Sequence, residues 1–512
     1  MKKILILFLL IFIIASCEKK KKEDILVKID DVEITADDFK YSFEFAIAPT
    51  KIGPNPRRFY LNYLIKELVL AREGYARGYN KNPYVTNRVS QRKYDDLLEA
   101  FIEKHVRKRV KISDEELADA VKKGSVKFKM IVLPLPSEDR AEQVYLQAAK
   151  TNLEDYIEKQ LEKQEVPLAN KKFYETEWMD YLSIPPDVFN KVKDLEIGKI
   201  SKPLPYGDGF ALFQVLGIHR EGITTDDLKY GHRRKMMERR LYNIKADKLI
   251  HHIMDSLLTP MNIAVKGEIV TQLSPLLYQW YKDGIKKKQS INDMIINAPD
   301  TAKSYMVGLR SLMDETLVTY NNGEIKVKDY FDFMNYNRKT LHESKSPKDF
   351  QKRLIGEIGR MMKNREFVRI AIEDGYADST RVKRDIKNWE QKWVFEIFRH
   401  DLTKHLTVSE EEMRNYFKHR WRELEIAGID TTRFYKYENA VYNAVLHEKY
   451  IAVLDSAVEV YKKKYPIYVD YKLLDKLNLQ DDPKSIRTTF IVRKNFNWDQ
   501  SVPVVDFKWF SF

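Results

Sequence analysis

Cysteine is nearly absent from this chain of 512 residues, which contains only Cys17. A single thiol cannot form an internal disulfide, and it cannot supply the several thiolates of a structural zinc site. No His-x-x-x-His pair with an intervening glutamate occurs, and no carboxylate cluster stands at ligand spacing. The sequence therefore predicts no metal site, no cofactor and no thiol nucleophile.

Glycine and proline are also sparse, with 18 residues of each. No Gly-x-Gly-x-x-Gly pattern and no P-loop is present, so nothing in the sequence favours nucleotide binding. Serines such as Ser183 and Ser201 lack the surroundings of a nucleophile elbow, which argues against a serine hydrolase.

The chain has one long apolar run, the eleven residues Ile4–Ile14, which follow two lysines. A bilayer span needs ~20 apolar residues, so this run is typical of the central region of an export signal. The ending Ile14-Ala15-Ser16-Cys17 resembles the bacterial lipobox, which implies that Cys17 becomes a lipidated membrane anchor. An ordinary signal peptide and a short anchor helix remain alternatives.

The formal net charge of +13 raises the question of nucleic-acid binding, because clustered Lys and Arg residues release counterions from phosphates. An export signal argues against that partner. The 89 basic residues are also interleaved with 76 acidic ones, as on the solvated faces of helices. We therefore predict that nucleic acid is not a partner.

Residues 25–124 are predicted to form two short strands followed by amphipathic helices. The first helix is capped near Thr35, with acidic residues in its first turn. A capping box from Ser113 to Glu116 begins the last helix, which ends at Gly124. This region reads as one compact helical module.

The same order of predicted strands and helices recurs about 290 to 300 residues later in the sequence. Residues 321–336 repeat the strand and helix pattern, and Ser409 with Glu412 forms a second capping box. Each copy closes with a long basic helix, predicted over 234–258 and 437–464. These correspondences predict two helical modules in tandem, although any helix-rich chain shows some such coincidences.

The first copy contains an insertion, residues 125–219, that the second copy lacks. Alternating apolar residues predict a strand in "VKFKMIVLP" (126–134), and a long helix is predicted from about 137 to 164. Pro185-Pro186 begins a short helix, and Gly207-Asp208-Gly209 forms a turn before a final strand. The insertion is therefore an α+β unit.

The last third of the insertion reads "FNKVKDLEIGKISKPLPYGDGFALFQVLGIHRE" and is similar to the end of a parvulin domain. The whole chain resembles the exported parvulin-type peptidyl-prolyl isomerases and chaperones of the SurA and PrsA group, well over residues 25 to about 266 and less so beyond. The resemblance implies a fold that is α+β and mainly α, with tandem SurA-like helical modules and one inserted parvulin-like domain.

The predicted organisation follows from these boundaries. It comprises a signal peptide with lipobox (1–17), a charged tether (18–24), a SurA-like module (25–124), a parvulin-like domain (125–219), a returning helix packing on the first module (220–266), a second SurA-like module (267–420), a second returning helix (421–484) and a C-terminal β-ribbon (485–512).

The resemblance also places the family's site residues. Met130 and Ala211 stand where the family has its two histidines, and the family's Gly-Gly-Asp-Leu-Gly stretch is missing. Phe189, Trp178 and Met179, together with Met130, are candidates for an apolar surface that binds proline or other client side chains. Simple core packing is the alternative for these residues, because large apolar side chains are usually buried.

The leading hypothesis is a lipid-anchored folding factor in the cell envelope of a Gram-negative-type bacterium, facing the periplasm. Its partners would be unfolded or partly folded exported polypeptides, including outer-membrane proteins, and the membrane through Cys17. The missing histidines predict that isomerase activity is weak or lost. An active peptidyl-prolyl cis-trans isomerase and a structural lipoprotein of an envelope assembly or secretion complex remain alternatives.

Overall fold

The computed structural model describes residues 24–510 except 52, 222–226, 284–290, 300, 322, 337–340, 342–343, 425, 480–490 and 495–496. The predicted signal peptide, the lipidation site Cys17, nearly all of the tether and part of the predicted C-terminal ribbon lie outside these residues. Across the described ranges, no helix has the length and apolar character needed to cross a bilayer. The chain divides into two compact units. The first unit comprises the described residues of Met1–Phe101 and Pro260–Phe512, and the second unit, Ile102–Thr259, is inserted between these two segments.

The first unit begins with the elements β1 (Ile25–Ile29), β2 (Val32–Thr35), α1 (Ala36–Phe45), α2 (Pro56–Ala76) and α3 (Pro83–Ile102). Thr35 caps α1: its hydroxyl accepts a hydrogen bond from the Asp38 N–H, and the Asp38 carboxylate accepts one from the Thr35 N–H. The predicted hairpin and helix cap are confirmed.

The second unit contains α4 (Asp114–Gly124), β3 (Val126–Leu135), α5 (Glu138–Ala148), α6 (Leu153–Lys163), β4 (Met179–Asp180), α7 (Pro186–Val192), β5 (Leu204–Tyr206), β6 (Gly209–Arg220) and α8 (Asp227–Leu258). Its four strands form an antiparallel sheet in the order β4-β3-β6-β5. The predicted turn lies between β5 and β6, where Gly207 adopts a positive φ of 60°.

The helix predicted from about 137 to 164 is in fact two helices, α5 and α6. Asn152 begins α6 by accepting a hydrogen bond from the Asp155 N–H at 2.7 Å. The buried side chain of Gln214 accepts another from the Leu153 N–H at 2.7 Å. These two acceptors satisfy N–H groups that a new helix end leaves free, so the break is stable.

Each face of the four-stranded sheet is covered by helices. Ile131 of β3 and Leu212 of β6 pack against α5 and α6 in one apolar cluster. Phe128 and Met130 of β3 pack against α7 in another. The sheet is thus buried on both faces, as the apolar strands require.

Helices α4 and α8 pack against each other within the second unit. Met237 of α8 is buried against Leu117 and Val121 of α4. A Cβ atom on Gly124 would lie 2.2 Å from the Met237 Cε, so the glycine permits this close packing. The returning helix therefore contacts the last helix of the predicted first module.

After the second unit, the chain returns to the first unit. The elements that follow are β7 (Ala264–Val265), α9 (Gly267–Lys282), α10 (Ile291–Ile296), α11 (Ser304–Leu312), β8 (Thr316–Tyr320), β9 (Gly323–Lys326), α12 (Val327–Tyr336), α13 (Pro347–Glu373), α14 (Thr380–Thr403), α15 (Glu410–Arg420), α16 (Glu438–Lys464), β10 (Ile467–Val469), α17 (Tyr471–Lys476), β11 (Ile491–Lys494) and β12 (Asn497–Gln500). Ser409 and Glu412 form the predicted capping box of α15.

The element order of the first copy recurs in the second copy. Helices α2 and α13 end at glycines with positive φ, Gly78 at 78° and Gly375 at 81°. A short 3-10 turn and a long helix follow each glycine. The order β-hairpin, helix, long helix, glycine turn and long helix is therefore present twice.

The two copies exchange their closing strands. β10, which ends the second copy, pairs with β1 and places Val469 opposite Val27. β7, which follows the first returning helix, pairs with β8 and places Val265 opposite Val318. Each three-stranded sheet is therefore built from both copies, in the orders β10-β1-β2 and β7-β8-β9.

The first unit contains two apolar cores. One core joins β1, β2, α1 and α2 to residues of α14 and α16, for example Phe395 and Leu454. The other joins α9 to α11, α12 and α13 around Leu277 and Phe350. The first core therefore contains residues of both sequence copies, whereas the elements named for the second core all lie within residues 267–373.

Candidate functional site

The residues at the two family histidine positions lie in the core of the second unit. Met130 on β3 is 1% exposed and Ala211 on β6 is 0% exposed. Both belong to the apolar cluster between the sheet and α7, which we call the α7-side cluster. Backbone pairing brings β3 and β6 together over their whole length, so the cluster sits on a rigid sheet.

Helix α7 supplies the other wall of the α7-side cluster. The rigid φ of Pro186 suits the first helical turn, and Val188 and Val192 on the inner side of the helix are buried. Phe189 is half-buried, and its ring lies edge-to-face on Phe128 with centroids 6.0 Å apart. Part of the Phe189 ring is therefore available to a ligand.

Met179 joins the same cluster from the edge strand. It lies opposite Phe128 in the β3–β4 pair and is half-buried against the α7-side cluster. The structure thus brings Met130, Met179, Phe189 and Ala211 together, with Met179 and Phe189 at the accessible margin.

Trp178 is not part of this group. Side chains of neighbouring strand residues point to opposite faces of a sheet, so Trp178 and Met179 diverge. The Trp178 ring lies beside Gly217 and against His219, with ring centroids 5.9 Å apart, and is 47% exposed. The predicted surface of four side chains is therefore split between two faces of the sheet.

The α7-side cluster consists entirely of apolar side chains among the residues that the structure describes. Between residues 125 and 219 the sequence contains one histidine, His219, which lies with Trp178 away from that cluster. The hydroxyl of Thr176 accepts a hydrogen bond from the Met130 N–H at 3.1 Å. The cluster itself therefore contains no ionisable side chain among the described residues.

A polar network that no sequence pattern predicts lies beside this cluster. The Asp180 carboxylate is 7% exposed and forms an ion pair with the Arg240 guanidinium of α8. It also accepts hydrogen bonds from the Leu182 N–H and the Ser183 N–H, each at 3.1 Å. Burial opposes ionisation of Asp180, yet the Arg240 charge and hydrogen bonds lower the pKa of this carboxyl below its ordinary value.

This network fixes the segment between β4 and α7 to the two helices. Tyr181 and Leu182 pack against the apolar surface formed by α4 and α8. The Tyr181 ring also contacts Phe189, with centroids 5.8 Å apart. Helices α4 and α8 therefore hold the margin of the α7-side cluster in position. Arg240 is one of many basic residues in its helix, so no sequence pattern distinguishes it.

Acidic and histidine side chains form no metal site in the described part of the chain, where no group of three or more His, Cys, Asp or Glu side chains could hold an ion.

Comparison with known proteins identifies the insertion. Residues 105–227 match the family model described as the PPIC-type PPIASE domain, which is the parvulin type of peptidyl-prolyl isomerase. The predicted parvulin-like domain and the mainly helical α+β fold around it are confirmed. No curated protein matches the chain.

Solved structures similar to this chain include two described as peptidylprolyl isomerase PrsA. The one from Bacillus anthracis is 18% identical and covers 38% of this chain and 96% of its own, with a TM-score of 0.22. The one from Bacillus cereus is 10% identical and covers 45% and 92%, with a TM-score of 0.22. A third, from work on the SurA-like chaperones PEB4 and Cj1289 of Campylobacter jejuni, is 15% identical and covers 47% and 98%, with a TM-score of 0.23.

Proposed function

Starting from the parvulin domain at residues 105–227, we propose that this chain is a folding factor for exported polypeptides whose isomerase activity is weak or lost. Its clients would be unfolded or partly folded chains, including outer-membrane proteins. The parvulin domain would contribute an apolar contact surface at Phe189 and Met179, and the helical unit would contribute further binding surface.

The observation that carries the proposal is the burial of Met130 and Ala211. Rotation about an X-Pro bond must overcome a barrier of ~18–20 kcal/mol that arises from amide resonance. The family histidines would support a polar network at the site, and here their positions hold a thioether and a methyl group in the α7-side cluster. On this proposal, the apolar contact surface remains while the polar network of the family site is lost.

Membrane attachment through lipidated Cys17 is part of the proposal. Its support is the apolar run and lipobox-like ending of the sequence, followed by a charged stretch from Lys19 to Asp24. The protein would then stand in the cell envelope facing the periplasm, where exported polypeptides pass in an unfolded state.

An active isomerase is the second candidate, and one observation favours it. Phe189 and Met179 remain partly exposed at the margin of the cluster, so a proline ring could still bind. Binding in a dry pocket can itself favour a twisted amide. The two candidates differ in whether an X-Pro bond turns over faster in the presence of the protein.

Exchange NMR on a short X-Pro peptide separates the two candidates. We expect the wild-type chain to leave the exchange rate close to the uncatalysed value. We expect the double variant Met130→His with Ala211→His to increase the rate if it keeps the wild-type melting temperature. Clear acceleration by the wild type that Phe189→Ala abolishes would establish the active isomerase instead.

Suppression of aggregation of an unfolded outer-membrane protein tests the chaperone part. We expect suppression by the full chain at substoichiometric amounts. Absence of suppression, together with recovery of one stable partner from native membranes, would identify a structural subunit of an envelope assembly and overturn the proposal.

A further inference from the structure

A cavity of about 420 Å³ lies within the first unit, between β2, α1, α2 and α14. This volume falls within the range of ~300–1,000 Å³ that is typical of ligand pockets. Its apolar lining comes from both sequence copies and includes the residues Ile34, Leu64, Leu68, Ala71 and Phe395.

Several charged residues that line the cavity are already paired. The Asp38 carboxylate accepts hydrogen bonds from Arg384 Nε and Asn388 Nδ2, each at 2.7 Å. The Glu67 carboxylate accepts one from Lys392 Nζ at 2.7 Å. These groups need no ligand to be satisfied.

Gln391 is different from its neighbours in the cavity wall. It is 3% exposed, and neither its Oε1 nor its Nε2 has a hydrogen-bond partner among the described residues. A side-chain amide offers one acceptor and two donor hydrogens, and burying it unpaired costs free energy. A bound molecule with both N–H and C=O groups would satisfy this amide.

Another part of the cavity wall is a segment of the chain itself. Val502, Pro503 and Val504 line the cavity and belong to no helix or strand. The Ser42 hydroxyl donates to the Pro503 carbonyl at 2.9 Å, and the Tyr60 hydroxyl accepts from the Val505 N–H at 2.9 Å. An apolar polypeptide segment is thus already held here through its backbone.

We propose that the cavity binds a short apolar segment of an unfolded polypeptide beside Val502–Val504, and that a peptide group of this segment pairs with the Gln391 side chain. The inference deepens the proposed function, because it assigns a client-binding site to the helical unit. It involves neither Phe189 nor any other residue of the parvulin domain. The alternative occupants are a small amphiphile and a further segment of this chain.

Fluorescence anisotropy of a labelled peptide, Lys-Ala-Val-Leu-Val-Ala-Lys, added to the full chain tests the site. We expect Gln391→Leu to weaken peptide binding at least tenfold while raising the melting temperature, because leucine removes the unpaired buried amide. The matched control Gln272→Leu changes an exposed glutamine of α9 and should alter neither quantity. Unchanged peptide affinity in Gln391→Leu would overturn the proposal.

Thr380→Trp provides a second variant that leaves the buried core untouched. Thr380 is an exposed residue of the cavity lining, so a bulky ring there should obstruct entry and weaken peptide binding. Binding of dodecyl maltoside without binding of the peptide would identify an amphiphile site and overturn the proposal. Tight peptide binding that appears only after deletion of residues 480–490 would also overturn the proposal. It would identify that segment of the chain as the occupant of the cavity.

Failure of this inference is distinguishable from failure of the proposed function. If the wild-type chain and both variants suppress client aggregation equally, the folding-factor function stands and the cavity is not its binding site. If peptide binding depends on Gln391 but no suppression occurs, the site stands and the chaperone function fails.

Discussion

The Glu67 Oε1 atom accepts a hydrogen bond from the indole N–H of Trp509 at 3.1 Å, although 442 residues separate them in the chain. The same oxygen accepts the Asp506 N–H at 2.7 Å. Burial raises the pKa of Glu67, while the charges of Lys392 and Arg399 oppose that rise. One buried carboxylate therefore holds residues 506–509 against the core that contains β1 and β2.

Replacement of Trp509 should strongly destabilise the first unit. Trp509 is 4% exposed and packs against Tyr63 and Phe395. We expect Trp509→Ala to lower the free energy of unfolding of this unit by about 3–5 kcal/mol, measured by urea titration. Phe507→Ala is the control, because Phe507 is 52% exposed and should change stability by about 0.5 kcal/mol or less.

Acidification should weaken the first unit through Glu73. Burial alone would raise the pKa of Glu73, but hydrogen bonds from Lys464, Tyr465 and Arg77 lower it to about 2. The stabilisation is complete above the ordinary value of 4.5, and it is lost as the pH falls through the folded value of about 2.

We therefore expect the free energy of unfolding to decrease as the pH falls from 4.5 toward 2, and Glu73→Gln to reduce that slope. Glu268→Gln, a change at an exposed position of α9, should keep the wild-type slope. Unfolding is measured by circular dichroism at each pH. If the free energy of unfolding depends on pH equally in the wild type and in Glu73→Gln, the lowered pKa of Glu73 is not the cause of the acid sensitivity.

Removal of Arg240 should loosen the edge of the parvulin domain. Arg240→Met leaves the Asp180 carboxylate buried without its cation, which for a fully buried pair costs several kcal/mol. Arg240 is 30% exposed, so water can replace part of the interaction and we expect a loss of about 2 kcal/mol.

Amide hydrogen exchange provides the local measurement for this variant. Faster exchange at Leu182 and Ser183 is expected, because Asp180 accepts hydrogen bonds from both of these N–H groups. Arg239→Met alters the neighbouring exposed arginine and should leave both rates unchanged.

The exchange of closing strands can be tested by cross-linking. Lys28 lies opposite Tyr468 in the β1–β10 pair, and both side chains are exposed. In a Cys17→Ser background, Lys28→Cys with Tyr468→Cys should form an intrachain disulfide under mild oxidation, seen as a mobility change on a non-reducing gel. Lys28→Cys with Tyr435→Cys should not, because the exposed Tyr435 ring contacts Phe434, which belongs to a separate apolar cluster.

Local features of this fold were predictable from the sequence because neighbouring residues determine them. The capping boxes at Ser113 and Ser409 and the glycine turn before β6 depend on a few adjacent side chains, and all are present. The break at Asn152 was missed because part of its stabilisation comes from Gln214, which is distant in sequence.

Long-range relations were not predictable in the same way. The strand pattern of Ile467–Val469 carries no information about its partner, so the exchange with β1 could not be inferred. Trp178 was assigned to the same surface as Met179, although strand alternation could have separated them. Gln391 stands in a polar helix, where no sequence signal distinguishes a buried amide from an exposed one.

The strand exchange has a consequence for the order in which the chain can fold. The sheet that begins at Ile25 gains its third strand only when Ile467–Val469 has been synthesised. Contacts between distant residues carry a large loop-closure cost and slow folding. Growing chains often complete their N-terminal parts first, but here the N-terminal hairpin gains its third strand only from residues 467–469. Until then β1 presents an unpaired strand edge, which is a potential site of pairing with other chains.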